Sequence, residues 1–251
     1  MLDDLALVCA ALLAGILNTV AGGGTFLTFP ALVFAGVPPV AANATSAVAV
    51  FPGYLGGAVG FLRELKSFET QSLLKVVAVT LIGGLIGSLL LLISSNEAFS
   101  AVVPFLLLVA TLVFAFGDRI QAWARISHFG VKPSGAIGTL LVSIYGGYFN
   151  GGLGIVLLAL FSLWGMRDIN IMNGLKNGLS FVLSAISVAT FALAGIVAWP
   201  QALAMMIAAT VGGYIGAPIA RALPANVVRG IVIVVGAAMS AIFFGRLLYH
   251  R

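Results

Sequence analysis

Long apolar stretches alternate with short polar loops along the whole chain. The apolar segments occupy residues 5–36, 40–62, 72–94, 98–117, 134–165, 171–198, 201–221 and 226–247. About 20 apolar residues cross a bilayer as a helix, so every segment is long enough to span a membrane. The pattern predicts an all-α integral membrane protein with four segments on each side of one polar loop.

The two halves of the chain are related by an internal duplication. A shift of 129 residues superposes the glycine pairs Gly22/Gly151, Gly23/Gly152, Gly36/Gly165, Gly83/Gly212, Gly84/Gly213 and Gly87/Gly216. Chance predicts about two such pairs. We therefore predict a first membrane repeat over residues 1–117, a cytoplasmic linker loop over 118–133 and a second membrane repeat over 134–251.

Each repeat opens with a long apolar segment that glycines interrupt. The interruptions are Gly22, Gly23 and Gly24 in the first repeat, and Gly151, Gly152 and Gly154 in the second. Each segment is therefore either a kinked span or a re-entrant hairpin. Unwound backbone is tolerated at membrane depth only where it is buried in protein or lines a cavity. Paired interruptions in two halves are the best sequence pointer to a transporter's substrate site.

The placement of Lys and Arg favours the hairpin. Hairpins with an external N-terminus put ten of the twelve basic residues on the cytoplasmic side, whereas full spans with an internal N-terminus put eight there. Hairpins also leave three full crossings in each repeat, an odd number, so the repeats insert with opposite orientation. The sequence predicts two inverted repeats, each with a Gly-broken first helix or re-entrant hairpin followed by three transmembrane helices.

Composition excludes several classes of protein. Of the 251 residues, 61% are hydrophobic and 8% are charged, and the mean hydropathy is +1.18, whereas a soluble domain has about 25% charged residues. The net charge of +5 comes from loop residues and forms no basic stripe, so a nucleic acid partner is not expected. The lipid bilayer is the expected environment, and association into a homodimer stays open.

Catalytic and cofactor motifs are missing from the sequence. The single cysteine, Cys9, and the two histidines, His128 and His250, form no metal-binding pattern. No Walker-type glycine loop, His-Glu-x-x-His or Gly-x-Ser-x-Gly motif occurs. We therefore expect neither an enzyme nor a cofactor.

The glycine breaks suggest an anion site. In the hairpin interpretation the second half-helices begin near mid-membrane, at about Thr25 and Gly154. A helix N-terminus offers unpaired N–H donors and about half a positive charge, so two converging termini favour an anion. The alternative is that glycines only allow tight helix packing. We prefer packing for Gly53, Gly56, Gly57, Gly60, Gly83/Gly87 and Gly212/Gly216, and the substrate site for the two breaks.

Polar side chains cluster near the breaks and at the start of the following segments. They are Asn18, Thr25, Asn43, Thr45, Ser46, Asn150, Asn173, Lys176, Asn177 and Ser180. Interhelical hydrogen bonding is the alternative role for the hydroxyl and amide groups. Lys176 is the only basic residue with apolar sequence on both sides, which favours a role as partner of an anion. The alternative for Lys176 is snorkelling to the cytoplasmic interface.

The N-terminal motif resembles that of a known family. The run from Gly15 to Pro30, with Gly36-Val-Pro-Pro39 and Ala42-Asn-Ala-Thr-Ser46, is similar to the sulfite exporter TauE/SafE family, also called the toluenesulfonate uptake permease family. The resemblance covers nearly the whole chain. It implies a multi-pass transporter of the bacterial cell (inner) membrane whose substrates are small anions such as sulfite, sulfonates and related organosulfur compounds.

Together these observations predict a secondary transporter. Its substrate would be a small anion, sulfite or an organosulfonate, moved by alternating access. The anion would lie between the two glycine breaks, held by backbone N–H groups and polar side chains, with Lys176 supplying charge. A passive anion channel and a non-transporting membrane scaffold are the alternatives.

Overall fold

The computed structural model describes residues 2–21, 23–61, 69–126, 135–222 and 225–249, and these residues form helices without any strand. The first half contributes α1 (Leu2–Ala21), α2 (Thr25–Phe34), α3 (Pro39–Gly60), α4 (Thr70–Ile93) and α5 (Asn96–Ile126). The second half contributes α6 (Ala136–Tyr148), α7 (Leu153–Leu163), α8 (Ile169–Leu193), α9 (Trp199–Ala222) and α10 (Ala225–Tyr249). The all-α prediction is confirmed.

The predicted segments match these helices closely, with one correction. Both glycine-rich segments are broken where predicted, and the second half-helices begin at Thr25 and Leu153. Residues 118–126 were predicted to belong to the linker loop, yet they continue α5. Alanine, arginine and glutamine favour helix, so the helix outlasts its apolar sequence. The rest of the predicted loop, 127–133, lies outside the described residues.

The chain doubles back at the first break. A Cβ atom added to Gly24 would lie 3.0 Å from the Ala14 carbonyl oxygen and 3.4 Å from Cβ of Asn18. Ten residues of straight helix would separate Gly24 from Ala14 by about 15 Å. The segment 5–36 is therefore not one continuous rod, and α2 packs back against α1.

The second break also reverses the chain. A Cβ atom on Gly146, near the end of α6, would contact Leu153 at the start of α7. A Cβ atom on Gly138, near the start of α6, would contact Leu160 two turns into α7. The end of α6 thus meets the start of α7, and the start of α6 meets a residue further along α7. The two helices therefore run antiparallel.

Several loops meet at one end of the molecule, which we call the upper face. The backbone N–H of Val40 donates to Asn96 Oδ1 (3.1 Å), and the N–H of Ala198 donates to Thr45 Oγ1 (3.0 Å). Arg246 lies over the ring of Phe34, 4.7 Å from its centroid. The opposite end, where α3 ends and α8 begins, is the lower face.

Helix packing in one half has a counterpart in the other. α1 packs on α9 as α6 packs on α4, and α3 contacts α9 as α8 contacts α4. α3 also packs on α8, and α5 on α10. An added Cβ atom would collide with the backbone of a facing helix at three glycines: Gly83 against Leu140, Gly87 against Ile144 and Gly212 against Leu12. The packing role predicted for these three glycines is confirmed.

Aromatic rings fix the first hairpin in the centre of the protein. Phe29 on α2 is fully buried and packs against Phe99, Phe149 and Phe243, with ring centroids 6.0, 5.7 and 5.7 Å away. These rings come from α5, the second break and α10. The interrupted backbone is therefore enclosed by protein, as an unwound segment in a membrane requires.

The outer surface is apolar. Among the described residues, three helices are long and apolar enough to cross a membrane: Thr70–Ile93, Asn96–Val113 and Asn170–Leu193. α4 exposes aliphatic side chains at Leu81, Ile82, Leu85, Ile86, Leu89, Leu90 and Ile93. Apolar side chains that face outward over a whole helix are typical of contact with lipid.

Candidate functional site

A cavity of about 510 Å³ lies between α1, α3, α8 and α9. Its wall is formed by Gly15, Asn18, Val50, Pro52, Gly53, Tyr54, Gly56, Gly57, Phe61, Asn173, Lys176, Asn177, Ala209, Thr210, Gly213 and Tyr214. Four of the sequence-predicted site residues meet here: Asn18, Asn173, Lys176 and Asn177. The α3 and α8 residues in the wall belong to the halves of those helices nearer the lower face.

Among the residues that the structure describes, Lys176 is the only charged one in the wall of this cavity. It lies two turns into α8, whose first turn is capped by Asp168: that carboxylate accepts from the N–H groups of Asn170 (2.8 Å) and Ile171 (3.2 Å). The cap fixes where α8 starts and therefore how deep Lys176 lies. A lone cation among amides, hydroxyls and apolar groups gives the cavity a positive character.

Two asparagine amides lie against glycines of α3. A Cβ atom on Gly53 would be 3.3 Å from Asn18 Nδ2, and one on Gly57 would be 2.7 Å from the Asn177 side chain. A Cβ atom on Gly56 would meet no heavy atom within 4 Å. The predicted packing role is therefore confirmed for Gly57, which lets α8 approach α3 closely, and wrong for Gly56, which faces open space. All three glycines make room for the cavity and its amide groups.

Asn18 has a free acceptor. Its Oδ1 atom is buried and has no hydrogen-bond partner, whereas buried polar atoms normally have one. Asn18 lies one turn before the first break, on the same turn of α1 that Gly24 contacts. The first break therefore supports a residue of the cavity wall, although Gly23 and Gly24 are not part of that wall.

Two backbone N–H groups in the first turn after the first break are occupied. Gly23, Gly24 and Thr25 are buried, and the N–H groups of Phe26 and Leu27 donate to the Gly23 and Gly24 carbonyls at 3.1 and 3.0 Å. These donors are not available to a bound anion. The occupied donors belong to Phe26 and Leu27, so the predicted contacts of Gly23, Gly24 and Thr25 with an anion stay predictions. Gly22 lies outside the described residues.

The second break is built on left-handed backbone. Asn150 has φ = 61° and Gly152 has φ = 71°, conformations that favour glycine and are tolerated by asparagine. The N–H groups of Ile155 and Val156 donate to the Gly152 carbonyl at 3.0 and 3.3 Å, and the Tyr145 hydroxyl donates to the Gly151 carbonyl. The N–H groups of Ile155 and Val156 are therefore unavailable to an anion, whereas the predicted contacts of Gly151, Gly152 and Gly154 stay predictions. Gly154 is buried inside α7.

Tyr54 connects the cavity to the second break. It lies in the cavity wall on α3, and its hydroxyl forms a side-chain hydrogen bond with Asn150. Asn43, three turns earlier on α3, donates from Nδ2 to the Tyr148 carbonyl (2.8 Å). The Oδ1 atoms of Asn43 and Asn150 are buried without partners. α3 is thus tied to the second break at two levels.

Thr45 and Ser46 make structural contacts away from the cavity. Thr45 Oγ1 accepts from the N–H of Ala198 just before α9, and Ser46 Oγ is 2.6 Å from Thr28 Oγ1 on α2. Both are fully buried. These bonds match the interhelical alternative that the sequence left open. Ser180 is buried on α8 and also lies outside the cavity wall.

Sequence reasoning missed Tyr54, Thr210 and Tyr214 as wall residues. Thr210 lies just before Gly212 and Gly213, and Tyr214 directly follows them; this stretch was interpreted only through its glycines, as a sign of duplication and of helix packing. Tyr54 stands in an apolar and glycine-rich stretch without a motif. Its role depends on a contact with Asn150 that is distant in sequence.

The fold defines a class of protein: an all-helical membrane protein with a cavity between its two halves. Within that class the chain belongs to the sulfite exporter TauE/SafE family, whose model matches residues 7–243. It is a membrane protein of a transporter family.

Several bacterial proteins are similar over almost their whole length. The chain is 26% identical to a "Probable membrane transporter protein" of Haemophilus influenzae over 242 residues, covering 94% of this chain and 92% of the relative. It is 27% identical to the "Probable membrane transporter protein YfcA" of Escherichia coli K12, covering 95% and 87%. It is also 27% identical to the "Probable membrane transporter protein ORF9" of a Sinorhizobium species, covering 93% and 89%. No solved structure matches the chain.

Proposed function

We propose that the chain is a secondary transporter that moves a small anion, sulfite or an organosulfonate, across the bacterial inner membrane by alternating access. The observation that carries the proposal is the position of Lys176: among the described residues, it is the one charged side chain in the wall of the cavity between α1, α3, α8 and α9. An intramembrane cation with no acidic residue beside it in the described part of the wall favours an anionic solute.

The wall chemistry supports an oxyanion. The amides of Asn18, Asn173 and Asn177 offer N–H donors around the Lys176 ammonium, and charge-assisted hydrogen bonds to an anion are the strong ones. The volume of about 510 Å³ is in the range of small-molecule sites. The apolar residues Val50, Pro52 and Phe61 provide surface for the carbon part of a sulfonate.

Alternating access is supported by the arrangement of the two halves. The first hairpin starts and ends near the upper face, where Phe34 meets Arg246. The second is followed at the lower face by α8, which crosses to the upper face before Ala198. The hairpins thus enter from opposite faces, which is the expectation for inverted repeats. Rocking of one such repeat against the other gives alternating access.

The distribution of basic residues supports a cytoplasmic opening. Arg167 precedes α8 and Lys75 lies in the second turn of α4, both toward the lower face, where α3 ends and α8 begins. Cytoplasmic loops carry the excess of Lys and Arg. The cavity lies toward the same face, so this conformation is the one open to the cytoplasm.

Counter-transport in proteoliposomes tests the function. Vesicles loaded with sulfite or sulfoacetate receive external radiolabelled sulfite, and uptake is compared with that of empty vesicles. A transporter gives saturable uptake that rises when the same anion is trapped inside. Uptake that is linear in concentration and indifferent to the trapped anion identifies a channel. Absence of uptake with every anion, together with no thermal stabilisation by any of them, identifies a scaffold.

A further inference from the structure

Three buried serines continue the cavity-lining face of α8 toward the upper face. Ser180, Ser184 and Ser187 are 1%, 1% and 3% exposed. At 100° per residue they fall in the same sector of the helix as Asn173 and Asn177, which line the cavity. We call these three residues the serine face. Each of its hydroxyls lacks a hydrogen-bond partner.

Several other hydroxyls in the described helices bond to a backbone carbonyl, although buried Thr80 on α4 also lacks a partner. Thr190 on α8 donates to the Ile186 carbonyl (2.8 Å), Ser162 to Leu158 (2.9 Å) and Thr111 to Leu107 (2.6 Å). Each hydroxyl of the serine face could likewise donate to the backbone carbonyl one turn earlier on α8, yet none of the three forms such a hydrogen bond. Burial of an unpartnered hydroxyl costs about 1–3 kcal/mol. Three on one face point to a polar partner that this conformation excludes.

The register between α3 and α8 gives the depth of the serine face. The rings of Phe51 and Phe181 stack at 5.1 Å, and Gly57 faces Asn177. The two helices are therefore antiparallel, and Ser187 is level with residues 45–47 of α3. Thr45 of that stretch bonds Ala198 at the upper face. From Lys176 to Ser187 the face extends about 16 Å.

Unpartnered acceptors also occur on other elements of the interior. Asn18 Oδ1 on α1, Asn43 Oδ1 on α3 and Asn150 Oδ1 at the second break are all buried without a donor. α3 packs directly on α8. Buried polar atoms therefore continue from the cavity toward the upper face. In a transporter that is open to the cytoplasm, this is the half of the protein that must be closed.

We propose that the serine face is the wall of the closed half of the substrate route, and that it becomes lined by water when the protein opens to the outside. This inference rests on the proposed transport function. Its chemistry is that of a path for a small hydrated oxyanion: hydroxyls can donate to the anion without trapping it, because they carry no charge.

Cysteine accessibility tests the proposal, and the chain suits the method. Its one cysteine, Cys9, is exposed and is replaced by serine to give a cysteine-free background. Ser184→Cys and Ser187→Cys are made in it. Thr190→Cys lies on the same helix but off the serine face. Gly56→Cys lies on the cavity wall, where an added Cβ atom meets no neighbour. Oriented vesicles receive a charged, membrane-impermeant thiol reagent on one side, with and without sulfite.

We expect Gly56→Cys to react from the cytoplasmic side. Ser184→Cys and Ser187→Cys should react from the outer side only, at least tenfold faster than Thr190→Cys, and sulfite should change that rate. No outer-side reaction of either serine variant, in protein that still exchanges sulfite, overturns the proposal, and so does a rate equal to that of Thr190→Cys. Labelling reports water access, whereas flux reports transport. Outer-side labelling in protein that moves no anion would therefore contradict the transport function and leave the hydrated route standing.

Discussion

Gly57 of α3 faces the amide of Asn177 so closely that an added Cβ atom would lie 2.7 Å from it. The next glycine, Gly56, faces open space. One residue of helix thus separates a position where the cavity wall tolerates a methyl group from one where it does not. Because Asn177 lies one residue from Lys176, the fit at Gly57 also helps to fix the cation's surroundings.

This contrast predicts different outcomes for two alanine substitutions. Gly57→Ala should displace the Asn177 side chain and raise the KM for sulfite uptake at least tenfold more than Gly56→Ala does. The reason is steric, so the membrane yield of the two variants should be similar. Initial rates over a range of sulfite concentrations measure the effect. Equal KM values for the two variants would remove Asn177 from the site.

Removal of the cavity's charge should abolish most transport. Lys176→Ala leaves the amides without their cation, so an anion would have to lose its water for uncharged donors alone. We expect sulfite uptake to fall by about 100-fold or more, which corresponds to about 2.7 kcal/mol of binding. Membrane yield should stay near that of the parent chain. Lys75 is an exposed lysine at the start of α4, so Lys75→Ala is the control for the loss of one positive charge. If Lys176→Ala transported sulfite at the rate of this control, Lys176 would not be the partner of the anion.

Much of this architecture is predictable from local sequence. The apolar segments predict the helices. Three adjacent glycines at 22–24 predict a break in the helix from local sequence alone, without knowledge of tertiary contacts. The hairpins follow from charge placement, because Lys and Arg prefer one side of the membrane. Lys176 was recognisable because an intramembrane cation is costly wherever it lies.

The cavity could not be predicted to the same extent. Its wall depends on which helix faces which, and that is decided by contacts between residues far apart in sequence, such as Tyr54 with Asn150. Glycine is also ambiguous, because it allows either close packing or empty space. Gly83 meets the backbone of α6, whereas Gly56 meets nothing, and the two have the same small-residue spacing in sequence.

The left-handed backbone at Gly152 predicts a loss of stability on substitution. Gly152→Ala places a Cβ atom at φ = 71° and 3.1 Å from Cβ of Ala110. The left-handed conformation alone costs about 1–2 kcal/mol for an L-residue. The apparent Tm of the purified protein should therefore fall by several degrees. Gly245→Ala, in α10 with no neighbour within 4 Å, should melt at or above the parent temperature, and a Gly152→Ala variant as stable as this control would mean that the turn is not strained.

Because the first hairpin is enclosed by protein, we expect the buried side chains of the short helix α2 to contribute strongly to the stability of the folded protein. Leu32 on α2 is 0% exposed and belongs to the main apolar core, whereas Leu193 at the end of α8 is 91% exposed. Leu32→Ala leaves a cavity, for which buried leucines cost about 2–5 kcal/mol. Leu193→Ala removes surface that neighbouring helices do not cover. Thermal unfolding in one detergent compares the pair directly, and a short half-helix held only loosely in the protein would give the two variants the same Tm.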